Sequence, residues 1–203
     1  MIKYSFKPNS LFALIRRVRY ISRWSLMFNL AKENVSEHSH EVSLFAHAIA
    51  VIGVKKYGRQ YNAERIATIA IYHEASESTC GDQPSTLKHA TDETTAFFKG
   101  IEGQVENDMV NSLDESIRDH IASVMLASRF NEHEKEIVKA ADLMSMLIKC
   151  EHELSLNNHE FVDARNKVWG KLEQFFTDYP EVKEFHDVYL PRCKMTIDGL
   201  VSL

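Results

Sequence analysis

His73 and, one turn further on, Glu77 fall where a helix should be burying aliphatic side chains, and Glu74 stands beside His73. The run that leads to them starts at Asn62, a capping residue type, and repeats apolar positions at Ile66, Ile69 and Ala70 with helical spacing. Extending that stripe reaches His73 and then Glu77. A buried ionisable group is costly unless it is paired, hydrogen-bonded or bound to metal. Two further positions pose the same problem. His38 stands four residues before Val42, on the stripe of a helix expected to run through Phe45, Ala46, Ile49 and Ile52 to about Tyr57, where Gly58 ends it. Asp142 stands four residues after Val138, inside the apolar face formed by Ile137, Ala141, Met144 and Leu147. Two imidazoles and two carboxylates, with no thiolate, make a nitrogen–oxygen donor set for a borderline divalent ion. One ion would remove the burial penalty of all of them together. Spacing alone does not show convergence. A His73–Glu77 pair closing a helix, or three unrelated satisfied polar groups, fits the residues as well.

The elements that must position these groups are helices. Asn9-Ser10 can cap a first helix to about Tyr20, and Arg16, Arg17, Arg19 and Arg23 make this the most basic stretch. Arg16 and Arg17 read as a solvated face. Arg23-Trp24 falls in the loop beyond, where a guanidinium fork and a flat ring could meet a phosphate and a stacked group. Asn34, with Glu37 three residues on, has the pattern of a capping box. Gly81-Asp82-Gln83-Pro84 is turn chemistry. Helices are then expected over Thr91–Asp108, from a Ser112–Glu115 capping box to about Leu126, from Asn131 past Ile148, over His159–Phe176, and from Glu181 to about Leu190. His40 and His47 lie off the buried stripe and read as ordinary.

With 203 residues, 44% of them hydrophobic and 26% charged, the chain is long enough for one large all-α domain spanning 1–203. Its core is expected over about 9–155, with carboxyl-terminal helices over about 156–203. Only 7 Gly and 4 Pro leave few strand turns. A net charge of −5 argues against binding a nucleic-acid polymer, while a small phosphorylated ligand held by local cations stays compatible. Cys80, Cys150 and Cys193 are odd in number and widely spaced, which fits a reducing cytoplasm and neither a disulfide framework nor a thiolate zinc site. The apolar run Leu11–Ile15 is too short for a signal peptide or a membrane span.

The order His, His-acid, Asp on helices resembles the HD-domain metal-dependent phosphohydrolases. Five blocks, Arg23-Trp24, Asn34–Ser39, Tyr72–Glu77, Gly81–Ser85 and Lys139–Asp142, closely resemble the bacterial YfbR-like 5'-deoxynucleotidases. The resemblance implies an HD helical bundle in which His38, His73, Glu74 and Asp142 ligate one catalytic divalent ion (Co2+, Mn2+, Ni2+, Zn2+ or Fe2+). It implies that Glu77 handles the proton of the attacking water, that Arg23 grips the phosphate with Trp24 beside it, and that Asp82, with Gln83, Pro84 and Ser85, holds the sugar. It also implies a deoxynucleotide substrate and a homodimer. Glu74 stands where the family's defining aspartate is expected, and Gln83 and Ser85 replace the usual Leu and Thr. The expected reaction is hydrolysis of deoxynucleoside 5'-monophosphates. The alternatives are a dNTP triphosphohydrolase, with Arg19, Lys88 or His89 holding the outer phosphates, and a non-catalytic nucleotide-binding protein.

Overall fold

With few glycines and prolines to turn strands, the chain folds as helices. A computed structural model describes residues 4–201, so the outermost ends of the expected 1–203 domain lie outside the described residues. Helix α1 (Leu11–Ile15) tightens into a 3-10 segment ending at Tyr20. The others are α2 (Val35–Tyr57), α3 (Ala63–Tyr72), α4 (Glu77–Cys80), α5 (Ser85–Lys88), α6 (Asp92–Asn111), α7 (Glu115–Met125), α8 (Glu132–Ser155), α9 (Val162–Leu172), α10 (Pro180–Glu184) and α11 (Ile197–Leu200). Among the described residues, extended pairing is confined to one antiparallel bridge, Ser22 to Asn34. No described helix is long and apolar enough to cross a membrane.

Local sequence chemistry accounts for the ends of α2 and α3. The Asn34 Oδ1 accepts from the amides of Ser36 at 2.9 Å and Glu37 at 3.0 Å, and the Glu37 carboxylate accepts from the Asn34 amide at 3.0 Å. Gly58, at φ +67°, takes the left-handed turn that stops α2. Asn62 accepts from the Arg65 amide at 2.9 Å and so opens α3. Elsewhere the expected boundaries move. Ser112 caps the end of α6 rather than starting α7, whose opening cap is Asp114, accepting from the Ser116 amide at 3.0 Å. Pro180 begins α10 instead of only breaking the chain, because its fixed φ suits a first helical turn. The stretch 159–176 is a 3-10 turn, then α9, then a second 3-10 turn.

The described chain sorts into two units. The first runs to Phe28 and adds Lys32–His40 and Ile71–Asn131. Its core is Leu11, Ala75, Val105, Met109, Val110, Leu113, Ala122, Met125 and Leu126. Bonds from the Arg23 amide to the Glu33 carbonyl (3.0 Å) and from the Val35 amide to the Ile21 carbonyl (3.0 Å) close the Arg-Trp loop at its base.

The second unit takes Asn29–Ala31, Glu41–Ala70 and the chain from Glu132 onward. Its centre is α8, packed along α9. Several carboxylates are buried here with partners supplied. Arg65 Nε meets Glu134 at 2.6 Å, and Tyr61 and Arg59 meet the fully buried Glu181 at 2.6 and 3.2 Å. Glu153, also fully buried, accepts from the amides of Leu30 (3.1 Å) and Ala31 (2.9 Å), from Asn158 (2.7 Å) and from Lys149. Burial by itself would raise its pKa, but these donors outweigh burial and hold the carboxyl at about 2, against 4.5 unperturbed. The stabilisation is therefore complete above about pH 4.5 and fades as the pH falls towards 2, a span worth about 3 kcal/mol. Glu153→Gln should flatten this acid limb in urea unfolding followed from pH 5 to 3. Glu153→Ala, which strands the buried Lys149, should lower stability at pH 7 by about 3–5 kcal/mol.

Candidate metal and phosphate site

His38 lies one turn into α2, fully enclosed, because the capping box starts the helix just before it. Helix α3 was expected to continue through His73 to Glu77, and it does not: it ends at Tyr72. A tight turn follows, with the Ala75 amide on the Tyr72 carbonyl at 2.9 Å and the Glu77 amide on the Glu74 carbonyl at 3.1 Å, and α4 starts at Glu77. The physical consequence is direct. On a continuous α-helix neighbouring residues point about 100° apart, so His73 and Glu74 would diverge. The i→i+3 turn re-aims both. The imidazole rings of His38 and His73 lie 5.4 Å apart, and His73 Nε2 is 3.5 Å from Glu74 Oε1. Asp142 is buried on α8, with Lys139 Nζ at 2.6 Å from its Oδ2.

His38, His73, Glu74 and Asp142 each offer one ligand atom, and these atoms all lie within 4.8 Å of one another. Two ring nitrogens and two carboxylate oxygens at that spacing fit a single borderline divalent ion. Glu74 belongs to the group, so the methylene it carries beyond aspartate does not keep its carboxylate away.

Arg23 is buried, with Nη1 3.5 Å from Glu74 Oε1 and Nε 3.8 Å from Glu33 Oε1. Trp24 sits in the left-handed region at φ +57°, a costly conformation for a bulky residue, and its Nε1 donates to Glu33 Oε2 at 3.2 Å. Glu77 is buried beside this group, and its Oε2 has no hydrogen-bond partner among the described residues. Burial first, then repulsion from Glu74 and Asp82, pushes the Glu77 pKa well up. Asp82 is raised chiefly by burial, while the Arg23 guanidinium and the Trp24 amide pull the other way. Gly81, at φ +73°, makes the turn that presents Asp82. The remaining turn residues serve the turn itself. Gln83 donates to the Cys80 carbonyl at 2.7 Å, Pro84 precedes α5, and Ser85 opens α5 as an exposed residue. They form the backbone of the turn, and Asp82 is the one drawn electrostatically to Arg23, while the Glu74 carboxylate repels it.

Sequence reasoning missed Glu33. Its Oε1 is 3.5 Å from His38 Nδ1, so a single carboxylate meets His38, Arg23 and Trp24. Burial alone would raise its pKa, but His38, Arg23 and Trp24 hold it below the usual range. In sequence it is only an acid just ahead of a helix cap, which reads as a partner for the helix dipole.

A family model described as "5'-deoxynucleotidase YfbR-like" matches residues 10–193. The chain is 37% identical over 194 residues to a 5'-deoxynucleotidase of Vibrio parahaemolyticus, covering 96% of this chain and 99% of that one. It is 36% identical over 194 residues to the 5'-deoxynucleotidase YfbR of Escherichia coli, covering 96% of each. Among solved structures it is similar to an HD-domain phosphohydrolase of Listeria innocua, with a TM-score of 0.78 and 20% identity over 89% of this chain and 86% of that one. It is also similar to the cyanophage S-2L HD phosphohydrolase DatZ, with a TM-score of 0.67 and 17% identity over 94% of this chain and 98% of that one. That structure is described as bound to dA and one catalytic Zn2+ ion.

Proposed function

Since the chain belongs to the YfbR-like 5'-deoxynucleotidase family, we propose that it hydrolyses deoxynucleoside 5'-monophosphates to deoxynucleoside and phosphate. The observation that carries this reading is the grouping of four ligand atoms within 4.8 Å, one from each of His38, His73, Glu74 and Asp142. These residues would hold one divalent ion, drawn from Co2+, Mn2+, Ni2+, Zn2+ and Fe2+. Bound there, such an ion polarises a phosphoryl oxygen and acidifies a water. The chain's own groups do the rest. Arg23 offers a planar fork to the phosphate oxygens, and Trp24 gives a flat wall beside it. Asp82 accepts from a sugar hydroxyl, with Gln83, Pro84 and Ser85 setting the turn that presents it. Glu77, a buried carboxylate three residues from a ligand, takes the proton of the attacking water.

The choice of monophosphate over triphosphate follows the relatives, which are 5'-deoxynucleotidases. Of the three cationic candidates for outer phosphates, Lys88 is bound to Glu102 at 2.6 Å, so its charge is already answered. Arg19 lies over the Tyr20 ring, its guanidinium carbon 5.9 Å from the centroid. His89 Nδ1 is 3.4 Å from the Thr95 hydroxyl. With Co2+ or Mn2+ added, dAMP should release orthophosphate, and dATP should release triphosphate far more slowly. Triphosphate as the faster product would favour the alternative reaction. Failure to turn over either nucleotide, with no metal bound, would favour a non-catalytic nucleotide binder. The same reading carries a single HD-type domain over 1–203, a homodimer and a cytoplasmic setting, which a sedimentation run and fractionation would check.

A further inference from the structure

We propose that Glu33 is a positioning residue that fixes the His38 ring in the tautomer with Nδ1 protonated and, with the same carboxylate, sets Arg23 and Trp24 for the phosphate. The proposal rests on the reading of His38 as a metal ligand.

The geometry of the loop makes Glu33 a hub. The Arg23 amide bonds the Glu33 carbonyl at 3.0 Å and the Val35 amide bonds the Ile21 carbonyl at 3.0 Å, so Arg23 and Glu33 face each other across a closed loop base. Helix α2 starts two residues later, and its first turn brings His38 back over Glu33. Oε1 then lies 3.5 Å from His38 Nδ1 and 3.8 Å from Arg23 Nε, while Oε2 accepts from Trp24 Nε1 at 3.2 Å. A neutral imidazole carries one donor and one acceptor nitrogen. A carboxylate facing Nδ1 selects the form in which Nδ1 donates, which leaves the lone pair on Nε2. It also raises the basicity of that lone pair, the usual service of a carboxylate behind a ligating histidine. The bond to Trp24 holds its indole in a backbone conformation that a bulky residue rarely adopts. Arg23 and Trp24 are adjacent in sequence and share Glu33, so loosening one loosens the other.

The test compares wild type with Glu33→Gln, Glu33→Ala and His38→Ala, each checked for helical content. Glu33→Gln keeps the shape and an acceptor oxygen but removes the charge. In metal-stripped protein, long-range nitrogen-15 NMR of the histidines reads the His38 tautomer, and calorimetry with Co2+ reads affinity. The expected result is a single Nδ1-protonated tautomer in wild type and mixed tautomers in Glu33→Ala. Co2+ binding should weaken about 10- to 100-fold in Glu33→Gln, and KM for dAMP should rise further in Glu33→Ala. If both Glu33 variants keep the wild-type tautomer and Co2+ affinity while His38→Ala loses Co2+, the inference about Glu33 is wrong and the metal site stands. If His38→Ala binds Co2+ like wild type, the site reading fails and this inference fails with it.

Discussion

Asp142→Ala should fold as well as wild type in the absence of metal, yet lose Co2+ affinity by more than about 100-fold, beyond the loss expected from removing a supporting carboxylate. Hydrolysis should fall to background with it. The metal-free expectation follows from the surroundings of Asp142. Its Oδ2 is paired with Lys139 Nζ at 2.6 Å, and the Lys139 side chain is 54% exposed, so water can take over when the carboxylate is gone. A ligand that binds only the native state raises stability by mass action. Wild type should therefore show a Co2+-dependent rise in Tm that Asp142→Ala lacks. An equal rise in both proteins would remove Asp142 from the donor set.

Glu77→Gln should separate chemistry from metal capture. The carboxylate is buried, its Oε2 has no partner among the described residues, and it is not among the four grouped donors. Proton transfer by a placed side chain is worth about 10²–10⁴-fold, so kcat should drop by that range while Co2+ affinity stays within a few fold. Stability carries a second signature. Burial, then repulsion from Glu74 and Asp82, raises the native pKa above the unfolded value. Without an ion the native state therefore holds a proton that the unfolded chain releases, a proton that a cation bound beside Glu74 would oppose. Metal-free stability should decline as the pH rises past the ordinary carboxylate range. Glu77→Gln should remove that decline. An unchanged kcat would take the proton-handling role away from Glu77.

Much of the local structure was legible because short-range chemistry decides it. Asn34 and Glu37 cap α2, Gly58 ends it and Asn62 opens α3, all as their types require. His38, His73 and Asp142 were legible too, since each ionisable side chain on an apolar face demands a partner, and Glu74 was legible as the acid beside His73 in the family's pattern. The break after Tyr72 was not legible, because the helical spacing of the stripe carries on to His73 and Glu77 and no Gly or Pro there forbids a longer helix. Glu153, Glu181 and Glu134 were also illegible as buried groups. The Arg65, Tyr61 and Arg59 side chains and the Leu30 and Ala31 amides that meet them lie far away in sequence, the Ala31 amide 122 positions from Glu153.

By itself, then, the sequence determined helices, their caps, the residue types of a nitrogen–oxygen donor set and the family to which their order belongs. The tertiary structure decided that the donors group within 4.8 Å, that a turn rather than a helix aims His73 and Glu74, and that Glu33 joins His38 to the Arg-Trp loop. The division has one physical cause. Capping and periodicity act over a few residues, whereas coordination and burial join side chains that only the folded chain brings within reach.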